Sequence, residues 1–284
     1  MRRLHLRLHR CSQGRRRPAQ RRPRPGRRRD RARRPRPVGD PALRLFVLHH
    51  AGGSHLAYTG WVPHFPDDWD ICLIEAPGRG PLSKVPVCET AADLAAYVIE
   101  DVHPLLDAPF ALFGHSMGAL AAYEMTLQLG ERGLDTPVWL GISACEAPFT
   151  EQPPFGGTPL HTLPAAGLRS ALAVMGGLPQ AILEDDDIWA VYEPRLRADF
   201  RLVETWRPRP ADRARILVPC SLFGGEDDHV VTREQLLAWA EGADHLLGQH
   251  FFPGAHFYRD EQIPAVAAQI AEEVDTAAPG LAGW

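Results

Sequence analysis

From residue 41 onward, short apolar runs alternate with stretches of helical periodicity. Leu43 to His49, Trp69 to Glu75, Phe110 to Phe113, Pro137 to Ser143, Arg215 to Phe223 and Leu246 to Phe252 each have the length and apolar content of a buried strand. Between them, Thr90 with Asp93 makes a capping-box start for a helix to about Leu106, with Leu94, Tyr97, Val98 and Val102 as its apolar positions. A second helix is predicted over Ala119 to Leu129, and Thr232 with Gln235 caps another. Parallel strands joined by helices imply an α/β fold: a mostly parallel central sheet flanked by helices, with ligands at the carboxyl ends of the strands.

Residues 149 to about 210 interrupt this rhythm. The stretch is Pro- and Gly-rich at first, then offers amphipathic pieces over Pro164 to Met175, Pro179 to Leu183 and Ile188 to Thr205. Lying between two core strands, it is expected to form a helical lid over the site. Its Leu, Val, Met and Trp residues suit an acyl channel and suit the lid's own packing equally well.

The chemistry points to Gly114-His-Ser-Met-Gly118, placed after one strand and before one helix. Such a turn pushes the Ser116 hydroxyl above the sheet and needs glycine at 114 and 118, where a Cβ would collide with the neighbouring strand or helix. The bland alternative is an ordinary serine in a Gly-rich loop. A nucleophilic serine needs a base and an acid that orients it, in the chain order Ser, Asp, His. The exit of the strand ending at Phe223 offers Glu226, Asp227 and Asp228, which spacing alone does not separate. His256, on the Pro-Gly turn after the last strand, is singled out among 13 histidines by that position. The N–H of Met117, directly after the serine, is one expected oxyanion donor, and Ala51, in the Gly-rich exit of the first strand, is the second. Ala51 equally suits a simple loop junction.

Charge divides the chain. Residues 1–40 hold 17 Arg against Asp30 and Asp40, a net +15, while the remainder carries 14 basic and 33 acidic residues, a net −19. The first 40 residues have almost no large apolar side chain after Leu8 and are read as a disordered Arg/Pro-rich extension, with the folded domain spanning 41–284. Aromatic residues for base stacking are absent from that stretch, which argues against nucleic-acid binding. Five scattered cysteines indicate neither a disulfide framework nor a zinc site. With no signal peptide and no apolar run of spanning length, a cytoplasmic location away from membranes is expected.

His50-Ala-Gly-Gly-Ser54, Ala76-Pro-Gly-Arg-Gly80, Gly114-His-Ser-Met-Gly118, Leu196-Arg-Ala-Asp-Phe200 with Glu204-Thr-Trp206, Gly224-Gly with Asp228, and Phe252-Pro-Gly-Ala-His256 together resemble the type II thioesterases. These are stand-alone editing hydrolases of nonribosomal peptide and polyketide synthesis, with the α/β-hydrolase fold. The resemblance runs from about residue 36 to about 270. It favours Asp228 as the triad acid. His229, where the family often has proline, and the Arg-rich start depart from the pattern. The resemblance implies hydrolysis of acyl or aminoacyl thioesters from the phosphopantetheine arm of carrier-protein domains, without metal or diffusible cofactor; a monomer is expected. Because carrier proteins tend to be acidic, Arg195, Arg197 and Arg201 are candidate docking residues. The rival readings are a carboxylesterase or lipase using the same triad, and a non-enzymatic carrier- or nucleic-acid-binding protein.

Overall fold

Seven strands form one sheet in the computed structural model, which describes residues 32–147, 157–210 and 214–279. They are β1 (Ala32–Arg33), β2 (Leu43–Leu48), β3 (Trp69–Ile74), β4 (Phe110–His115), β5 (Trp139–Ser143), β6 (Cys220–Gly225) and β7 (Leu246–Phe252), in the spatial order β1-β3-β2-β4-β5-β6-β7. All neighbours are parallel except β1, which pairs antiparallel with β3. Every residue of β2 to β6 is buried, as expected of strands covered on both faces.

One face is covered by α1 (Ala91–Val102) and α2 (Met117–Glu131), whose Leu94, Val98, Leu120 and Tyr123 pack on Phe46, Leu112 and Leu140. The other is covered by a 3-10 segment, His55–His64, and by a helix near the carboxyl end of the chain, Ile263–Ala277. The latter buries Val266, Ala267, Ile270 and Val274, a spacing of three to four residues that gives one apolar face. Three lid helices, α3 (Ala165–Met175), α4 (Gln180–Glu184) and α5 (Asp186–Glu204), form a separate small core around Leu168, Leu172, Trp189, Leu196 and Phe200. The remaining helices are α6 (Arg233–Leu237) and α7, the Ile263–Ala277 helix already described.

The lid is tied at both ends. The buried Glu204 carboxylate, at the end of α5, accepts the N–H groups of Leu160 (2.5 Å) and His161 (3.1 Å) at the start of α3's approach. Trp206 donates from its indole to Glu124 of α2 at 2.8 Å. These bonds fasten lid exit to lid entry and both to the sheet's covering layer.

Two boundaries differ from the sequence expectation. The ordered fold begins inside the stretch assigned to an extension: β1 lies at 32–33, Arg34 bonds Asp70 at 3.0 Å and Arg36 bonds Asp67 at 2.6 Å. The contacts are guanidinium to carboxylate, with no apolar run to announce them, so hydropathy overlooked the segment. Asp70 has no exposed surface, and Arg34 and Arg44 together neutralise it. The expectation of disorder for the rest of the extension concerns residues 1–31, outside the described residues. The run expected to begin a strand at Arg215 instead makes an isolated bridge from Ile216 to Ala243 before β6 starts at Cys220.

Candidate active site

The β4–α2 junction is a sharp turn at one residue. Ser116 has φ 55° and ψ −120°, a positive φ that side chains other than glycine rarely adopt. Its N–H donates to Ser143 O at 2.8 Å and its C=O accepts from Ala119 at 2.9 Å, so both flanking peptides are held. The two glycines are required by contact distance. A Cβ on Gly114 would lie 2.2 Å from Gly118 O, and one on Gly118 would lie 2.2 Å from Leu48 O. The start of α2 is thereby pressed onto the end of β2, whose exit is the His50-Ala-Gly-Gly turn. Met117 is the first residue of α2, so its N–H belongs to the end group that the helix itself leaves unpaired.

Asp228 and His256 meet. The Asp228 carboxylate lies 2.9 Å from His256 Nδ1, both side chains being almost wholly buried. A carboxylate accepts, so Nδ1 carries a proton, and in the neutral ring that leaves the lone pair on Nε2. The other Asp228 oxygen accepts the N–H groups of Val230 (2.8 Å) and Val231 (3.0 Å), which fixes the carboxylate plane. Asp227 and Glu226 are exposed. The loop carrying His256 is packed onto the end of β6, where a Cβ on Gly225 would lie 2.3 Å from Ala255 O. The loop also reaches the serine turn: Tyr258 bonds the Ser143 hydroxyl at 2.7 Å, and the His256 ring lies 5.1 Å from that of His115, the residue before Ser116. Ser143 is thus fully engaged, with His115 Nδ1 at 2.8 Å on its other side.

Sequence reasoning did not single out the polar shell around these residues. Arg259 is completely buried and donates to His50 Nδ1 at 2.9 Å. Burial, reinforced by that guanidinium, holds the pKa of His50 and of His115 well below the usual histidine value. Phe257 packs edge-on against His50 and His256 and lies 5.7 Å from His115. Position in the sequence carries no sign of this cluster, because its members come from three separate strand exits. Of the three candidate docking arginines, Arg197 is engaged by Glu193 and by the C=O groups of His161 and Leu163. Arg195 stacks on Tyr192, and Arg201 is exposed.

A family model described as the thioesterase domain matches residues 43–274. The chain belongs to the thioesterase family. Among the relatives of this thioesterase is the gramicidin S biosynthesis protein GrsT of Aneurinibacillus migulanus, 32% identical over 216 residues, which are 76% of this chain and 82% of GrsT. The type II thioesterase BorB from the borrelidin biosynthetic cluster superposes with a TM-score of 0.76 at 30% identity, covering 86% of this chain and 97% of BorB. RedJ, the thioesterase of the prodiginine pathway in Streptomyces coelicolor, gives 0.74 at 31% identity, covering 84% and 93%. The thioesterase is of type II, a hydrolase with the α/β-hydrolase fold from the group serving nonribosomal peptide and polyketide synthesis. Among its described residues, no helix is long and apolar enough to cross a membrane.

Proposed function

We propose that this thioesterase frees acyl or aminoacyl groups stranded on the phosphopantetheine arm of synthase carrier proteins, with Ser116 as nucleophile, His256 as base and Asp228 as the acid that orients it. The observation that carries the assignment is the buried Asp228–His256 pair, held by the end of β6 beside the strained Ser116 turn. His256 Nε2 takes the hydroxyl proton as Ser116 Oγ bonds to the thioester carbonyl carbon. The oxyanion rests on the N–H groups of Met117 and Ala51. As the C–S bond breaks, the imidazolium returns its proton to the departing thiolate, leaving an acyl-serine. Water, deprotonated by the same nitrogen, attacks that ester, and the acid is released with Ser116 reprotonated.

Incubation with one acylated carrier protein, followed by intact mass, reads reaction, partner and acyl preference together. Loss of the acyl mass is expected, and Ser116→Ala should lower kcat by about 10⁴- to 10⁶-fold without unfolding. Faster turnover of matched oxygen esters than of thioesters would favour the carboxylesterase reading instead. For docking, Arg201 is the candidate left on the surface of α5. Arg201→Glu should slow hydrolysis of a carrier-bound thioester while sparing a small soluble one, and an equal loss on both would remove Arg201 from the docking surface.

A further inference from the structure

The turn carrying Ala51 is held by groups that the reaction scheme does not use. The peptide joining His50 to Ala51 has its C=O occupied twice, by Gly53 N–H at 3.0 Å and by His49 Nδ1 at 2.8 Å. Because N–H and C=O of a trans peptide point in opposite directions, fixing that oxygen aims the Ala51 N–H. The next peptide is held from the lid. Gly52, at φ +76°, donates its N–H to Asp199 Oδ2 at 2.7 Å, and Asp199 sits on α5, 147 residues further along the chain. Both oxygens of Asp199 are gripped by Arg79, at 2.9 and 2.6 Å, and the same guanidinium donates to Gly53 O at 2.9 Å. Asp199 and Arg79 are 5% and 2% exposed, so water does not compete for these bonds.

The geometry points to Asp199 as a positioning residue that couples the seating of lid helix α5 to the oxyanion donor at Ala51. This rests on the assignment of Ala51 as a donor made above. Ala51 lies between two peptide planes, one fixed from the core by His49 and one fixed from the lid by Asp199. Displacing α5 would release the second plane. Arg79 has a distinct part. A lone carboxylate so near a developing oxyanion would oppose it, and the bidentate guanidinium makes the pair neutral overall. His49 contributes from the other side as a neutral imidazole, its Nε2 accepting Ala76 N–H at 3.2 Å while burial, and then Arg79, bring its pKa down to about 3. Leu196 of α5 completes the seat: a Cβ on Gly52 would lie 2.5 Å from its Cδ2.

The test compares the wild-type enzyme with Asp199→Asn and Arg79→Lys on a small acyl thioester, which needs no carrier docking. Fluorophosphonate titration counts competent sites and a trifluoromethyl ketone carrying the same acyl group mimics the oxyanion state. Per titrated site, Asp199→Asn should lower kcat by about 10- to 100-fold, the scale of a donor misplaced by about an ångström, with KM changed less than about twofold. Affinity for the ketone should fall by the same factor. Arg79→Lys keeps the charge but not the fork, and should lie between wild type and Asp199→Asn in both readouts. Unchanged kcat and ketone affinity per titrated site, with only thermal stability lowered, would overturn the proposal, as would a loss confined to KM. If the wild-type enzyme binds the trifluoromethyl ketone no better than the plain methyl ketone, the oxyanion-hole assignment itself fails, and this proposal with it.

Discussion

At the scale of single residues, Asp228 and Asp227 differ by one position and by everything that matters chemically. Asp228 is buried against His256 and locked by two backbone N–H groups, while Asp227 is exposed and its backbone N–H bonds Gly254 O. Asp228→Asn should therefore cut kcat by about 10⁴-fold by spoiling the histidine tautomer, and Asp227→Asn should leave it within about twofold. Steady-state rates on one thioester decide this. The serine turn and its two glycines were legible because their constraint is local: strand, reversal and helix lie within about ten residues. The choice between the two aspartates was not legible from spacing, since either follows the strand exit, and only the resemblance favoured 228. The pairings of His50, Arg259 and Tyr258 were not legible for the opposite reason. Their partners are up to about 209 positions away in sequence, as for His50 and Arg259, and no short pattern records such a pairing.

At the scale of elements, the lid and the histidine loop touch through a glycine. Gly177, in the link between α3 and α4, has φ +80°, and a Cβ there would lie 2.1 Å from the Phe257 ring. Gly177→Ala must move either the lid or the residue next to His256. It should destabilise the fold by about 1–3 kcal/mol and lower kcat/KM on a small thioester, as urea unfolding and initial rates would show. The lid helices themselves were readable, beginning or ending within about two residues of the expected pieces, because each carries its own apolar face. The seam between lid and sheet was not readable, although the residues that form it, Arg79, Asp199 and Glu204, all stood inside recognisable motifs. A motif says that a residue type matters without saying what it touches. Strand β1, which buries only Ala32 and is followed by arginine–carboxylate pairs, has no apolar run and was missed for that reason.

At the scale of the whole molecule, three buried histidines make stability depend on acid. His49, His50 and His115 have lowered pKa values in the folded state, so below about pH 6.5 the unfolded chain binds protons that the folded chain refuses. Acid therefore favours unfolding. Each histidine removes up to about 1.4 kcal/mol per pH unit once the pH is well below 6.5, continuing for His49 to about pH 3. Urea midpoints between pH 7.5 and 5 should fall with increasing steepness, and His50→Gln should flatten the curve by roughly one histidine's share. A midpoint independent of pH over that range would contradict the burial of these rings. The alternation of strands and helices made the sheet legible, whereas this buried cationic and imidazole layer beneath the strand ends was not, because burial of polar groups is decided by tertiary contacts.

The fastening of Glu204 to Leu160 and His161 closes residues 160–204 into a ring of chain whose two stems leave the body side by side. Such a ring behaves as a cassette. Grafted whole from one relative into another, it should keep its own small core and its closed stem, whereas a graft ending before Glu204 would leave a lid hinged at one stem only.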